Sequence, residues 1–145
     1  MSILGAVESL VLRVHQTIYE ATHGVVGHRM IGVPTLLLTS TGRRTGTRRT
    51  AALVYAKDDD GSLVVTASNG GSDRSPGWLH NVKADGSVEV QIGRRRFSGT
   101  AEVVGPDHAE FASLWALANG ISRGRYDRYQ RRTDRAIELV KLRSR

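Results

Sequence analysis

The chain has no cysteine. That excludes disulfides, thiolate nucleophiles and cysteine-ligated zinc, and it says little about compartment, because a chain without thiols behaves alike in reducing and oxidising surroundings. Aromatic residues are scarce at 6%, and no helix-turn-helix, ribonucleoprotein-type or zinc pattern is present, so nucleic acid fits poorly as a partner. No apolar run approaches the roughly 20 residues a transmembrane helix needs, and the N-terminus lacks the charged region and cleavage site of a secretory signal. A soluble, cytoplasmic protein is expected. Neither Gly-x-Gly-x-x-Gly nor Gly-x-x-x-x-Gly-Lys-Ser/Thr occurs, which removes the Rossmann fingerprint and the Walker loop. No serine triad assembles from a recognisable local pattern, and the histidines are scattered without ligand spacing, so no metal site is expected. His80, beside a polar loop, is the one histidine to watch.

Lysine is sparse too, at Lys57, Lys83 and Lys141, so the net charge of +7 is almost wholly arginine. Such a balance predicts an anionic partner: a nucleic acid, an acidic membrane or a small polyanion. The arginines concentrate in one stretch. Residues 34–41 are β-branched and apolar, Gly42 breaks the run, and Arg43, Arg44, Arg48 and Arg49 then surround a second glycine, Gly46. Guanidinium forks suit phosphate or carboxylate oxygens, and a glycine-bearing turn can aim backbone N–H groups at the same anion. On the local pattern alone, an anion cradle and a solvated turn are both open.

At 145 residues the chain is expected to form one domain with a sizeable core. Ile3, Val7, Leu10, Val14 and Ile18 recur at helical spacing, predicting an amphipathic helix over residues 3–22 that ends by Gly24. Packing on the core is its simplest role, with peripheral membrane contact as the rival. Strands are predicted at Thr35–Ser40, Thr50–Ala56 and Leu63–Ala67, the last two joined by an acidic turn, Asp58 to Asp60, read as a solvated hairpin. A polar loop from Ser68 leads to a short helix opened by Pro76 and carrying Trp78, Leu79 and Val82. Ser87–Ile92 and Arg96–Val104 form a second hairpin, and helices are predicted over 106–143, one opened at Pro106–Asp107 and one from about Tyr126 to Leu142. Strand runs punctuated by helices, without βαβ alternation, predict an α+β fold whose mainly antiparallel sheet can close into a small barrel spanning 33–104.

Four ordered segments carry a resemblance. Pro34-Thr-Leu-Leu-Leu-Thr-Ser-Thr-Gly-Arg-Arg-Thr-Gly46, Arg49-Thr50, Ala67-Ser-Asn-Gly-Gly-Ser72 and Pro76-Gly-Trp-Leu-His-Asn-Val-Lys-Ala84 resemble the deazaflavin-dependent nitroreductase family of actinobacteria. The likeness covers residues 30–104 and continues in Tyr126 to Arg135. It implies a split β-barrel, related to the FMN-binding barrels, that takes reduced coenzyme F420, a flavin-like ring with a phosphodiester and oligoglutamate tail. Carried over by motif, Arg43, Arg44, Thr45, Gly46 and Arg49 would hold the anionic tail. Ser68, Asn69 and Gly70 would line the path to the ring, with Trp78, Asn81 and Lys83 along the groove. The sequence has asparagine at Asn69 where lysine is common, and Arg123 where the nitroimidazole-activating member has tyrosine.

The resemblance implies hydride transfer from reduced F420 to an electron-poor small molecule, such as a quinone or an enone. Tyr126 and Tyr129 are the candidates for contacting that acceptor, one of them donating a hydrogen bond or proton to the developing oxyanion. A barrel that holds F420 or a lipid without turnover is the second reading. Oligomeric state cannot be read from the sequence.

Overall fold

The computed structural model describes residues 33–145. The helix expected over residues 3–22, its membrane-facing alternative and the linker with Gly24, Gly27 and Gly32 lie outside the described residues. Six strands, β1 (Thr35–Thr41), β2 (Arg48–Lys57), β3 (Leu63–Thr66), β4 (Ser87–Ile92), β5 (Arg95–Val104) and β6 (Leu139–Ser144), form a closed barrel in the order β1-β2-β3-β6-β5-β4. Every pairing is antiparallel. The described helices are α1 (Gly77–Ala84), α2 (Phe111–Ile121) and α3 (Arg125–Gln130). None is long and apolar enough to cross a membrane. This is the split-barrel α+β architecture that the sequence predicts.

Strand alternation fixes which side chains fill the barrel. Leu36 and Leu38 on β1 meet Val88 and Val90 on β4, with Val65, Val140 and Leu142 arriving from β3 and β6. Helix α1 adds Leu79 and Val82, one helical turn apart, to the same core. It packs against β1, β2 and β5 and so closes the barrel there. The outward residues Val64, Val104 and Leu139 form a second apolar layer under Leu114, Ala118 and Tyr126 of α2 and α3.

Two predicted helix boundaries need correction. Residues 107–110 make turns, with Phe111 N–H donating to His108 O, so α2 starts at Phe111 and not at Pro106–Asp107. The segment from Tyr126 to Leu142 is not one helix: α3 stops at Gln130 and Leu139–Ser144 becomes β6, which closes the barrel between β3 and β5. The physical reason is burial on both faces. Val140 and Leu142 enter the barrel while Leu139 enters the outer layer, and such a strand shows a continuous apolar run instead of alternation.

Lys141 sits in the middle of β6 with 1% of its surface exposed. Its Nζ lies 2.9 Å from Asp60 Oδ2, 3.0 Å from Glu110 Oε1 and 3.4 Å from Asp58 Oδ2. The turn read as a solvated hairpin is therefore tied to the core. One further feature of the sheet matters for the site. β2 pairs with β1 from Arg48 to Val54, whereas its pairing with β3 covers only Tyr55–Lys57. Among the described strands, Arg48–Val54 is laddered on one edge alone.

Candidate cofactor-binding site

The β1–β2 connection is a tight turn built on its two glycines. Gly42 N–H donates to Thr47 O at 2.7 Å and Gly46 N–H to Gly42 O at 2.8 Å. Gly46 has φ of 72°, a left-handed conformation that glycine adopts without penalty, and a Cβ at Gly42 would stand 2.9 Å from Thr47 O. The turn is anchored to α1 by one acceptor. Asn81, 6% exposed, receives both the Arg43 N–H at 3.1 Å and the Arg43 Nη1 at 3.3 Å on its Oδ1. Trp78 precedes Asn81 by three residues and shares its helix face, so both side chains border the turn.

Gly42, Arg43, Arg44, Thr45, Arg49, Trp78 and Asn81 thus line one groove of about 420 Å³, together with Thr50, Ala51 and Gly77. Arg43, Arg44 and Arg49 are exposed, and none makes an ion pair with a described carboxylate. Three guanidinium groups facing one groove without an acidic partner are what an anionic ligand needs. Arg48 turns aside, donating to Thr41 Oγ1 at 2.8 Å. The donor set fits a phosphodiester and carboxylate tail.

Ser68, Asn69 and Gly70 form a separate turn at the end of β3. Asn69 and Gly70 have φ of 45° and 65°, and the Asn69 side chain donates to Arg74 O at 3.0 Å. Asparagine tolerates the left-handed region better than lysine would, which accounts for the residue at this position. The turn lies against α3: a Cβ on Gly71 would come within 2.9 Å of Tyr129 O. Tyr129 is half-exposed there, with the Arg132 guanidinium 5.3 Å from its ring centre. Tyr126, 5% exposed, stacks edge-on behind it at 6.3 Å. Burial raises the Tyr126 pKa, with the neighbouring Thr66 hydroxyl opposing, so the phenol stays protonated at neutral pH.

The predicted site residues therefore fall into two groups, one at the arginine turn and one at the Ser68 turn with the tyrosines. Lys83 belongs to neither. It lies two positions after Asn81, about 200° around α1, and so leaves the helix on a different face and pairs with Glu138 Oε1 at 2.8 Å. His80 is exposed on the same helix and joins no cluster. Thr50, Ala51 and Gly77 were not singled out by the sequence, although each neighbours a residue that was.

Other features of the described residues carry no competing chemistry. Gly120 to Gly124 spells Gly-x-Ser-x-Gly, but it ends α2 instead of joining strand to helix, and Ser122 Oγ donates to the Ala118 and Asn119 carbonyls. Glu102, His108 and Glu110 bring potential ligand atoms within 4.8 Å of one another. Glu110 N–H donates to His108 Nδ1, which places the proton of the neutral ring on Nε2 and leaves no lone pair toward Glu102. A larger hollow of about 570 Å³ on the outer face of β1, β2, β4 and β5 includes Glu89 beside Arg96 and has no grouping of cations.

The model of a family described as F420H(2)-dependent quinone reductase matches residues 11–143. A Mycobacterium tuberculosis protein named F420H(2)-dependent quinone reductase is 48% identical over 132 residues, which cover 90% of this chain and 88% of that protein. A solved F420-H2 dependent reductase is similar at 32% identity and a TM-score of 0.67, over 76% of this chain and 94% of its own. A further solved structure, described only as a domain-swapped dimer, has 28% identity and a TM-score of 0.70, over 95% of this chain and 99% of its own.

Proposed function

Since this chain belongs to the F420H(2)-dependent quinone reductase family, we propose that the arginine groove holds the anionic tail of F420 and that the Ser68 turn borders its ring. The protein is an F420H2-dependent oxidoreductase that reduces quinones. The non-catalytic reading is not favoured. When bound, the reduced cofactor supplies a hydride, and a proton completes the conversion of quinone to hydroquinone.

The roles of the chain's own residues follow from the geometry. Arg44 and Arg49 give charge-assisted hydrogen bonds to phosphate and carboxylate oxygens, and Arg43, tied to Asn81, fixes the turn that presents them. Thr45 caps the turn, its Oγ1 accepting the Thr47 N–H at 3.2 Å. Trp78 offers an indole face along the groove. The Ser68–Gly70 turn, small at every side chain but Asn69, lets backbone approach a flat ring. Tyr129, half-exposed beside that turn, is the better placed of the two tyrosines to donate to the developing hydroquinone oxygen; Tyr126 backs it. Lys83 has no role in this reading.

The observation that carries the proposal is the set of three exposed guanidinium groups in one groove, none paired with a described carboxylate. We read the reaction as cytoplasmic, in keeping with a water-soluble polyanionic donor. Enones share the electron-poor C=C–C=O unit of quinones and extend the acceptor class. Purified protein incubated with reduced F420 and a panel of quinones and cyclic enones tests the activity; cofactor oxidation no faster than without enzyme counts against it.

A further inference from the structure

We propose that Arg135 is a positioning residue that orients the Ser68 turn for the bound cofactor, an inference that rests on the placement of the ring at that turn. Arg135 stands 63 to 68 residues from its partners in sequence. Its Nε donates to Ser72 O at 2.8 Å, Nη2 to Ser68 O at 2.8 Å and Nη1 to Ala67 O at 3.3 Å. One planar fork thus holds three carbonyls of a single turn. Arg132 Nη1 adds a fourth, Gly70 O at 3.3 Å, and Thr133 Oγ1 donates to Asp73 Oδ1 at 2.7 Å. Gln130 fastens the segment that bears Arg135, its Nε2 donating to Arg135 O at 2.8 Å and its Oε1 accepting Ile137 N–H at 2.9 Å.

The consequence follows from peptide planarity. In a trans peptide the N–H points opposite to the C=O of the preceding residue. With the Ala67 and Ser68 carbonyls drawn to Arg135, the Ser68 and Asn69 N–H groups face away from it. Asn69 and Gly70 hold left-handed backbone, and Asn69 is a residue for which that conformation carries a cost. The turn has two hydrogen bonds of its own, Gly71 N–H to Ser68 O at 2.9 Å and Ser72 N–H to Asn69 O at 3.1 Å, and the guanidinium adds a restraint from outside it that favours one arrangement. Burial lowers the Arg135 pKa, with Glu138 and Asp73 opposing, and the group keeps its charge. Lysine, a point charge with three divergent donors, cannot reproduce the fork.

Amide hydrogen exchange and steady-state kinetics on Arg135→Ala and Arg135→Lys, with F420 as the ligand and a water-soluble quinone as acceptor, test this. In the unsubstituted protein, F420 slows exchange at Ser68 and Asn69; if it does not, the ring is not at this turn and the functional reading fails at that point. Given that slowing, both variants exchange the two amides faster without F420, lose about tenfold or more in kcat, on the scale of a charged hydrogen bond, and change KM less. Added guanidinium ion restores part of the kcat of Arg135→Ala, which a purely structural loss would not allow. Should Arg135→Lys, the milder replacement, fold and show unaltered exchange and kcat, the positioning role is overturned.

Discussion

Two basic sites in this molecule have opposite designs. Lys141 is buried within three carboxylates, whereas Arg43, Arg44 and Arg49 are exposed around a groove that no described carboxylate lines. The buried cation has its charge answered by the chain itself, and its pKa is held above the ordinary lysine value by the hydrogen bonds it donates to Asp60 and Glu110. The arginines have theirs unanswered among the described residues. Charge that is neutralised within the fold contributes to stability, and charge left open contributes to binding, so the net +7 is not spread evenly in function.

Removing the buried cation has the largest expected effect. Lys141→Met leaves Asp58, Asp60 and Glu110 facing one another without their cation and should lower stability more than any other change named here, although the carboxylates keep contact with water. Urea unfolding measures it. Next, Arg44→Ala and Arg49→Ala should each weaken F420 binding about tenfold or more, read by fluorescence titration, while shifting stability by less than about 0.5 kcal/mol. A loss of stability instead of affinity would erase the contrast between the two sites.

Acid distinguishes them further. The Asp60 carboxyl is held well below the ordinary carboxylate range, chiefly by the Ser62 N–H and then by Lys141. A pKa depressed in the folded state gives stability that is present above the unfolded value, about 3.9, and lost as pH falls toward the folded one. The urea midpoint should therefore drop on acidification below about pH 4, and drop less steeply in Asp60→Asn. The smallest effect belongs to Lys83→Ala. With the Lys83–Glu138 pair partly exposed, stability should change by less than about 1 kcal/mol and F420 affinity not at all beyond error. A clear loss of affinity would return Lys83 to the groove.

The two regions also differ in how legible they are in sequence. The arginine turn is local: Gly42, Arg43, Arg44, Gly46 and Arg49 lie within eight positions, and Trp78 and Asn81 share one helix face three residues apart. The β-branched and apolar run from Thr35 to Ser40 marks β1, and the alternation of Val88, Val90 and Ile92 marks β4, for the same reason. The Lys141 cluster joins β6 to the β2–β3 turn and to the segment before α2, and no pattern of neighbours announces it. β6 itself was hidden because Leu139 to Leu142 is apolar on both faces with a lysine in the middle. Arg135 was quoted within a motif, but its three carbonyl partners became visible only when the chain had folded.

The position of β6 in the chain has a consequence for biosynthesis. Its neighbours β3 and β5 are made first, and each keeps an unpaired edge until Leu139–Ser144 arrives. A nascent chain ending before that strand holds two open edges and an apolar layer without Leu139, the condition under which strands pair with foreign chains. Closure of the barrel thus waits for β6. Substitutions in β6 are expected to lower soluble yield more than the stability of the finished protein accounts for.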